Sequence, residues 1–451
     1  MVNVLSVREF DTITFNEDYR ESQYYKYLDK KHFTELKSFI EEYSSENDSA
    51  DILEFMKPGF KRGVGSTITF NNYVGIIQLP SGFQIEILPK VNLDGEDETL
   101  SRTKRIFLDM LCCLKDFDGK SFNTASLNAD RMNLYEIFIN MYLQETRKLV
   151  KHGIKSAYIL SEDNLRFYKG KLKISDHIKA NLAHKERFYM QYDEYLVNRA
   201  ENKLIKTTLL KLLKLTQSSE NDKEIRQLLL SFELVDISTN IDKDFASVSL
   251  GRDTKDYEKL IAWSEEFLRN KSFTTFSGSK KGSALLFPME QVFEAFVAKW
   301  VKRIFTEESD GAYRVSVQDR GYYLFDNPQK FRLRPDIVVR KNGEPILIID
   351  TKWKRLKPDP NMNYGISQAD MYQMYAYSKK YHTSDIWLLY PLNEDVAEVG
   401  DISFIAEQDE DIKINLKILF INLAEHEKSI LTLYKELEDN HRAAKTVQDS
   451  Y

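Results

Sequence analysis

Apolar and polar positions follow three successive patterns along the chain. The first hundred residues contain short alternating runs, which predict strands, on either side of a helical segment at 24–42. Turn residues at Asn71-Asn72 and Pro80-Ser81-Gly82 divide the later runs and predict a β-meander between 66 and 91. From about 99 to 268 the apolar period becomes three to four, which predicts a mainly helical region.

A segment rich in Ser, Thr, Gly and Lys at 272–282 predicts a linker before a final region of mixed period. We therefore predict an α+β multidomain chain. Its expected parts are a β-rich domain at 1–95, a mainly helical region at 96–275 and an α/β domain at 276–451, with a mixed sheet flanked by helices.

Composition restricts the class of protein. The chain has 451 residues, of which 42% are hydrophobic and 30% charged, as in an ordinary globular protein. Cys112 and Cys113 are adjacent, so they supply neither a disulfide framework nor a zinc site, and the seven histidines are scattered without the spacing of metal ligands. No run is long enough to cross a bilayer and the start lacks a signal pattern, so we expect a cytoplasmic protein away from membranes.

The charge changes sign locally. The formal net charge is −6, which predicts weak long-range attraction to nucleic acid. Between residues 330 and 357, however, nine Lys or Arg side chains stand against three acids. Such a run is often only a solvated face. The alternative is a DNA-binding surface, with Arg334, Lys354, Arg355 and Lys357 as candidate contacts.

The same run contains two β-branched stretches on either side of Lys341-Asn342-Gly343, which predicts a β-hairpin. A simple two-residue loop would place Asp336 and Asp350 on opposite faces, since one step of register moves every side chain to the other face. A three-residue loop, or an equivalent bulge, would place both on one face together with Lys352. We predict the second arrangement.

Two carboxylates on one face form a hard oxygen site suited to Mg²⁺, with Mn²⁺ as a substitute. Such an ion neutralises charge that develops on a phosphate and lowers the pKa of a water for attack on phosphorus. Asp336 and Asp350 are the predicted ligands, with Thr351 as an additional candidate, and Lys352 is predicted to orient the water. The alternative is an ordinary strand end, because Asp-x-Lys alone is a common sequence.

Two helices complete the candidate site. Ser367-Gln-Ala-Asp370 predicts a helix start, after which Gln373 and Tyr377 share a helix face. The helix beginning near Phe287 places Glu294 among apolar neighbours. Glu294 is either an outer group of a metal site or a partly exposed residue at the helix edge.

These motifs resemble the PD-(D/E)xK nuclease core, and Gln373 with Tyr377 resembles the extension found in its RecB-like branch. More narrowly, the helix at 289–297, the stretch at 334–354 and Tyr372–Tyr377 are similar to the McrC family. The resemblance implies the nuclease subunit of a restriction system and a hexameric AAA+ GTPase partner of the McrB kind. It also implies that the N-terminal part docks into the GTPase ring and stimulates hydrolysis.

One observation agrees with an external GTPase. The sequence has no Gly-x-x-x-x-Gly-Lys-Ser/Thr loop to bind nucleotide phosphates. Two rival interpretations stay open: a nuclease of repair or recombination that acts without a GTPase, and an adaptor that keeps the fold without catalysis. Intact Asp336, Asp350 and Lys352 argue against the adaptor.

Overall fold

The computed structural model of the chain describes residues 4–46, 55–90, 97–114, 132–269, 283–393, 396, 402–407 and 413–448. The whole of the predicted linker at 272–282 lies outside these residues. Within the part described, no helix combines the length and apolar character needed to span a membrane.

In the part of the chain that the structure describes, the strands fall into five sheets. They are β1 Val4–Arg8, β2 Thr12–Thr14, β3 Lys26–Tyr27, β4 Met56–Lys61, β5 Gly65–Phe70, β6 Tyr73–Gln78, β7 Gln84–Leu88, β8 Ala157–Leu165, β9 Lys171–Leu172, β10 Phe188–Leu196, β11 Ser283–Pro288, β12 Tyr313–Val317, β13 Tyr323–Asp326, β14 Gln329–Arg332, β15 Ile337–Lys341, β16 Glu344–Thr351, β17 Asp385–Pro391, β18 Ile402–Glu407 and β19 Lys413–Ile421.

The α-helices surround and connect these sheets. They are α1 Lys30–Glu46, α2 Asp97–Leu111, α3 Leu134–His152, α4 Ile174–Ala180, α5 Ala200–Leu215, α6 Ser219–Ser231, α7 Ile241–Ser247, α8 Glu258–Arg269, α9 Met289–Glu308, α10 Gln368–Tyr381 and α11 His426–Gln448. The chain is thus a mixed α/β protein with several sheets.

The N-terminal strands form two sheets rather than one meander. One has the order β3-β2-β5-β4 and the other β1-β7-β6-β11, so β5 does not pair with β6. The predicted strands and the antiparallel pairing of β6 with β7 are present, but β5 pairs in the other sheet, so the predicted continuous meander is wrong. The place beside β6 is taken by β11, and their backbones approach so closely at Gly75 that a Cβ there would lie 1.9 Å from the carbonyl oxygen of Leu285. Only glycine permits that approach.

The middle region contains the predicted helices and, in addition, a three-stranded sheet of order β8-β10-β9. The helical prediction missed these strands, although Phe188–Leu196 carries four aromatic residues, which favour strands. The division at 95 and 275 stays a prediction. The structure does place β11, which follows the second boundary, in the sheet formed by β1, β6 and β7.

A six-stranded mixed sheet of order β12-β15-β16-β17-β19-β18 organises the C-terminal region. Its two faces pack against different helices. Ile348 lies in a buried cluster with Met374 and Tyr377 of α10. Ile349 lies in the cluster that contains Val301 of α9 and Ile430 of α11. Successive residues of one strand therefore face different helices, and helices flank the sheet on both sides.

Candidate active site

The hairpin β15–β16 determines which residues of the candidate site share a face. Lys341 pairs with Glu344 across a two-residue turn at Asn342-Gly343, so the predicted three-residue loop is wrong. The predicted equivalent bulge is present, because the register shifts between Val339 and Arg340 and leaves Ile346 as the extra residue of β16. Beyond the bulge Ile337 pairs with Ile349.

Continuing this register by one residue sets Asp336 opposite Asp350. Both therefore belong to the face that packs against α10, the same face as Ile348. Asp336 lies immediately before β15, and Asp350 lies near the end of β16. The bulge thus brings together two carboxylates that a regular hairpin with this turn would have separated.

Asp350 is the more buried of the two carboxylates, with only 2% of its side chain exposed. Its Oδ2 lies 2.7 Å from Nζ of Lys352. Burial and, after it, the negative charge of Asp336 raise the pKa of Asp350 to about 7, although the adjacent Lys352 acts in the opposite direction. Near neutral pH the protonated and the charged form of this carboxyl group are therefore both populated.

Asp336 is held by Thr351. Its Oδ2 accepts hydrogen bonds from the backbone N–H of Thr351 at 2.7 Å and from the Thr351 hydroxyl at 2.8 Å. Burial nevertheless raises the pKa of Asp336. Thr351 positions Asp336 through these bonds, and its role as a metal ligand stays a prediction.

Lys352 lies among three oxygen-bearing side chains. Besides Asp350, its Nζ approaches Oδ1 of Asp370 at 3.6 Å and Oε1 of Gln373 at 3.5 Å. Burial alone would lower the pKa of Lys352, but attraction to Asp350 and Asp370 outweighs burial and raises it. Lys352 is therefore a permanent cation at neutral pH. Asp370 was not among the predicted site residues, although it belongs to the predicted helix start.

Helix α10 supplies the third side of the site. As the sequence predicts, the Ser367 hydroxyl accepts a hydrogen bond from the backbone N–H of Asp370 and caps the helix. Gln373 and Tyr377 share a face, since Nε2 of Gln373 donates to the Tyr377 hydroxyl at 2.7 Å. Burial, followed by the nearby charge of Asp350, raises the pKa of Tyr377 to about 12.

Glu294 reaches the same region from α9. Its Oε1 accepts a hydrogen bond from Nε2 of Gln318 at 2.7 Å, and Oε1 of Gln318 accepts one from Arg334. Burial and the charge of Asp336 raise the pKa of Glu294. A cleft of about 890 Å³ is lined by Glu294, Gln318, Arg334 and Asp336 and also by Lys299 of the same helix. Sequence reasoning missed Gln318, which lies in the turn after β12.

The predicted DNA contacts occupy different surroundings. Arg334 lines the cleft, as described above. Lys354 and Lys357 are exposed beyond the end of β16, and Lys354 donates to the carbonyl oxygen of Gly365 at 2.5 Å. Arg355 is partly buried. Their contact with DNA stays a prediction.

Trp353 connects this region to the N-terminal sheet. Its indole N–H lies 3.0 Å from both carboxylate oxygens of Glu9, which is 1% exposed and follows β1. Oε1 of Glu9 also accepts a hydrogen bond from the backbone N–H of Lys90 at 2.7 Å. The Trp353 ring packs on Phe293, the neighbour of Glu294, with 5.4 Å between ring centroids. Nothing local in the sequence indicates a bond across 344 positions.

The donor set fits a magnesium ion. No group of three or more His, Cys, Asp or Glu side chains suited to a metal occurs among the described residues. Mg²⁺, however, is usually held by one or two carboxylates, with waters and substrate phosphate completing its coordination. Asp336 and Asp350 provide those carboxylates, and Oδ2 of Asp350 is buried with no hydrogen bond from the described residues beyond its ion pair with Lys352.

Comparisons with known proteins give a matching family model and similar solved structures. Residues 68–391 match the model of a family described as McrBC 5-methylcytosine restriction system component. The fold is similar to a chain in the half-complex of a tetradecameric assembly of Thermococcus gammatolerans McrB AAA+ hexamers with bound McrC, with a TM-score of 0.66 and 18% identity over 97% of this chain and 99% of that one.

A second comparison is with the cryo-EM structure of the Thermococcus gammatolerans McrBC complex. It covers 67% of this chain and 88% of that one at 20% identity and a TM-score of 0.46. No curated protein matches the chain. The family model covers well over half of the sequence, and the chain therefore belongs to the McrBC restriction-system family.

Proposed function

We propose that the chain is the Mg²⁺-dependent DNA endonuclease subunit of a McrBC-like, GTP-dependent restriction system. In this proposal it cleaves phosphodiester bonds when bound to an AAA+ GTPase whose hydrolysis it stimulates. The observation that carries the proposal is the pair formed by half-buried Asp336 and buried Asp350, beside the cationic Lys352. Membership of the McrBC family supports the restriction context.

Asp336 and Asp350 would hold Mg²⁺, which when bound supplies positive charge to a phosphate and activates water for hydrolysis. Thr351 fixes the orientation of the Asp336 carboxylate through its two hydrogen bonds. Because Lys352 stays protonated, it serves as a cation toward a phosphate oxygen or a water rather than as a general base. Oε1 of Gln373 accepts from the Lys352 ammonium group, and Nε2 of Gln373 donates to the Tyr377 hydroxyl, which fixes the amide beside that ammonium group.

The first experiment tests the site itself. Asp350→Ala and Lys352→Ala should abolish DNA cleavage by the complex while leaving partner binding intact, because both side chains act at the phosphate and not in the apolar core. Glu201→Gln is a matched control, since Glu201 is also buried and ion-paired, at 2.7 Å from Arg199, but lies on α5 outside the site. Cleavage by the Asp350 variant at the wild-type rate would refute the assignment.

The AAA+ partner is supported by the fold, which resembles a chain from an assembly of McrB hexamers with bound McrC. The N-terminal region, 1–95, is the predicted docking part. Among the described residues, a group of exposed apolar side chains also lies on the sheet β8-β10-β9 and its surroundings, at Tyr158, Leu160, Tyr168 and Tyr195. Such surfaces mark interaction sites. This sheet is therefore the alternative docking surface.

Point substitutions separate these two surfaces better than a deletion. Removing residues 1–93 would also remove the strand that pairs with β11 and the Glu9 bond to Trp353, so the N-terminal region is not cleanly separable from the site. GTP turnover by the purified partner should be measured while this protein is titrated in, as two variants. Tyr24→Ser alters the N-terminal region, and the double variant Tyr158→Ser with Tyr195→Ser alters the sheet β8-β10-β9. The variant that fails to stimulate turnover identifies the docking surface.

A repair or recombination nuclease that acts without a GTPase is the alternative function. The same complex tests it. Cleavage of methylated and unmethylated duplexes should be measured with Mg²⁺, with and without GTP and partner. Cleavage by the chain alone, unaffected by GTP and partner, would favour the alternative.

A further inference from the structure

A short β-hairpin stands beside the candidate site with most of its surface uncovered. Strands β13 and β14 pair only with each other among the described residues. Every residue of the two strands is exposed except Tyr323, which is half-buried. At its base the backbone N–H of Leu333 donates to the carbonyl oxygen of Tyr322, and the Tyr322 ring packs against Tyr381 of α10 at 4.4 Å between centroids. The hairpin is thus anchored on the helix that carries Gln373.

Two phenylalanine rings lie on this hairpin and face solvent. Phe331 is 73% exposed and Phe325 56% exposed, and their centroids are 5.9 Å apart in an edge-on arrangement. Phe331 also adopts a φ of 55°, a left-handed conformation that is unusual for a bulky residue. Packing within the chain gains little from rings in these positions. A neighbouring pair of exposed aromatic rings is typical of a binding surface.

The charge around the rings is positive. Arg320, Lys330 and Arg332 are exposed and form no ion pair with an acid in the described part of the chain. The nearby acids are neutralised from elsewhere, since Asp326 pairs with Lys380 at 2.6 Å and Asp319 pairs with Arg340 at 2.9 Å. Arg332 lies over the Tyr323 ring, with 4.8 Å to the ring centroid, and donates to its hydroxyl, so its charge is not neutralised. Cations without an acidic partner around an apolar pair complement a polyanion that also offers stacking surfaces.

The hairpin is close to the carboxylate pair along the chain. Phe331 precedes Asp336 by five residues, which span at most roughly 18 Å even when fully extended. In duplex DNA that length corresponds to about five base pairs, at about 3.4 Å per base pair. A duplex whose phosphate lies at Asp336 and whose axis runs toward the hairpin would therefore pass within reach of the two rings.

We propose that the hairpin β13–β14 binds duplex DNA next to the cleaved bond, with Phe331 stacked on a base step and Arg320, Lys330 and Arg332 on the flanking phosphates. The inference rests on the proposed nuclease function and adds a second contact with the same substrate. Apolar side chains inserted between base steps partly unstack and bend a duplex. Bending at this point would fit the strand into the cleft beside Glu294 and Arg334.

Binding of a labelled duplex by the complex of the full chain with its GTPase partner tests the proposal. An Asp350→Asn background keeps the duplex intact during the measurement. Phe331→Ala should weaken binding by about 5- to 100-fold, the usual range for loss of one stacked base. Phe331→Trp, which keeps an aromatic ring, should bind with the affinity of the parent. Lys330→Ala and Arg332→Ala should each reduce the slope of log affinity against log salt by about 0.9.

Ile405→Ala is the control, because Ile405 is an apolar residue, 63% exposed, on β18, at the edge of the six-stranded sheet opposite β12. It should leave both affinity and salt slope unchanged. A 2-aminopurine reporter placed along the duplex should gain fluorescence with the parent complex and lose that gain with Phe331→Ala, a signal that general loss of stability would not reproduce.

Three results would overturn the proposal. Wild-type affinity and salt slope in the Phe331 and Lys330 variants would remove the hairpin from the DNA interface while leaving the nuclease assignment intact. Normal DNA binding with lost stimulation of GTP hydrolysis would make the hairpin a protein-docking surface. Failure of the parent complex to bind any duplex would overturn both the hairpin proposal and the proposed function.

Discussion

Replacement of Glu9 by glutamine should make the protein more stable at alkaline pH. Glu9 is buried between the N-terminal sheet and Trp353, and this burial raises its pKa from 4.5 to about 7, despite hydrogen bonds from Lys90 and Trp353 that favour the charged form. Glutamine has nearly the same shape. Its carbonyl oxygen can accept both of the hydrogen bonds that Oε1 of Glu9 accepts, but it cannot ionise.

The size of the effect follows from the pKa. Each pKa unit corresponds to about 1.4 kcal/mol, so a rise from 4.5 to about 7 corresponds to about 3 kcal/mol of folding free energy. The folded protein binds this proton more tightly than the unfolded chain. The stabilisation is therefore complete below pH 4.5 and is lost as the pH rises through 7. Glu9→Gln should show no such loss from this position.

Calorimetric unfolding at pH 5 and pH 8 measures the difference. About 2.5 kcal/mol of this stabilisation is lost between these pH values, so the melting temperature of Glu9→Gln should rise relative to wild type by roughly 5–10 °C, taking about 2–4 °C per kcal/mol for a domain of 150–250 residues. Glu86→Gln is the matched control, because Glu86 is equally buried on the same sheet but pairs with Lys104 at 2.9 Å. Loss of the Glu86 charge, and with it of the ion pair, should lower the melting temperature at pH 8. Parallel pH profiles for wild type and Glu9→Gln would refute the reasoning.

Three further predictions concern the site and the sheet beside it. Gln373→Ala and Glu294→Ala should each reduce cleavage by about 10- to 100-fold, as groups that position others do; complete loss in a rate assay would make them direct participants, and no loss would make them structural. Mg²⁺ affinity, measured by calorimetry, should fall about tenfold per pH unit below 7, because Asp350 must lose a proton to bind metal. A pH-independent affinity would contradict this. Gly75→Ala should lower the melting temperature markedly, since its Cβ would overlap the Leu285 carbonyl oxygen.

The hairpin β15–β16 could be predicted from the order of residues only in part. Asn342-Gly343 indicates a turn, and the chemistry of two carboxylates requires one face for Asp336 and Asp350. Together they predict a departure from regular pairing, which the structure contains. Its position, at Ile346 in the second strand rather than in the loop, depends on how β15 and β16 pack between α9 and α10. Turn propensity alone could not locate it.

The sequence by itself determined the local features: the strands after Ser66, the helix start at Ser367, the shared face of Gln373 and Tyr377, and the spacing of Asp350 and Lys352 from which we predict a metal site. These depend on spacing within a few residues, where periodicity and capping act. Only the tertiary structure decided that β11 completes the N-terminal sheet, that Gln318 and Asp370 join the site and that Glu9 bonds to Trp353. Most of those contacts join distant positions, and they form because folding buries polar groups that must then find partners across the interior.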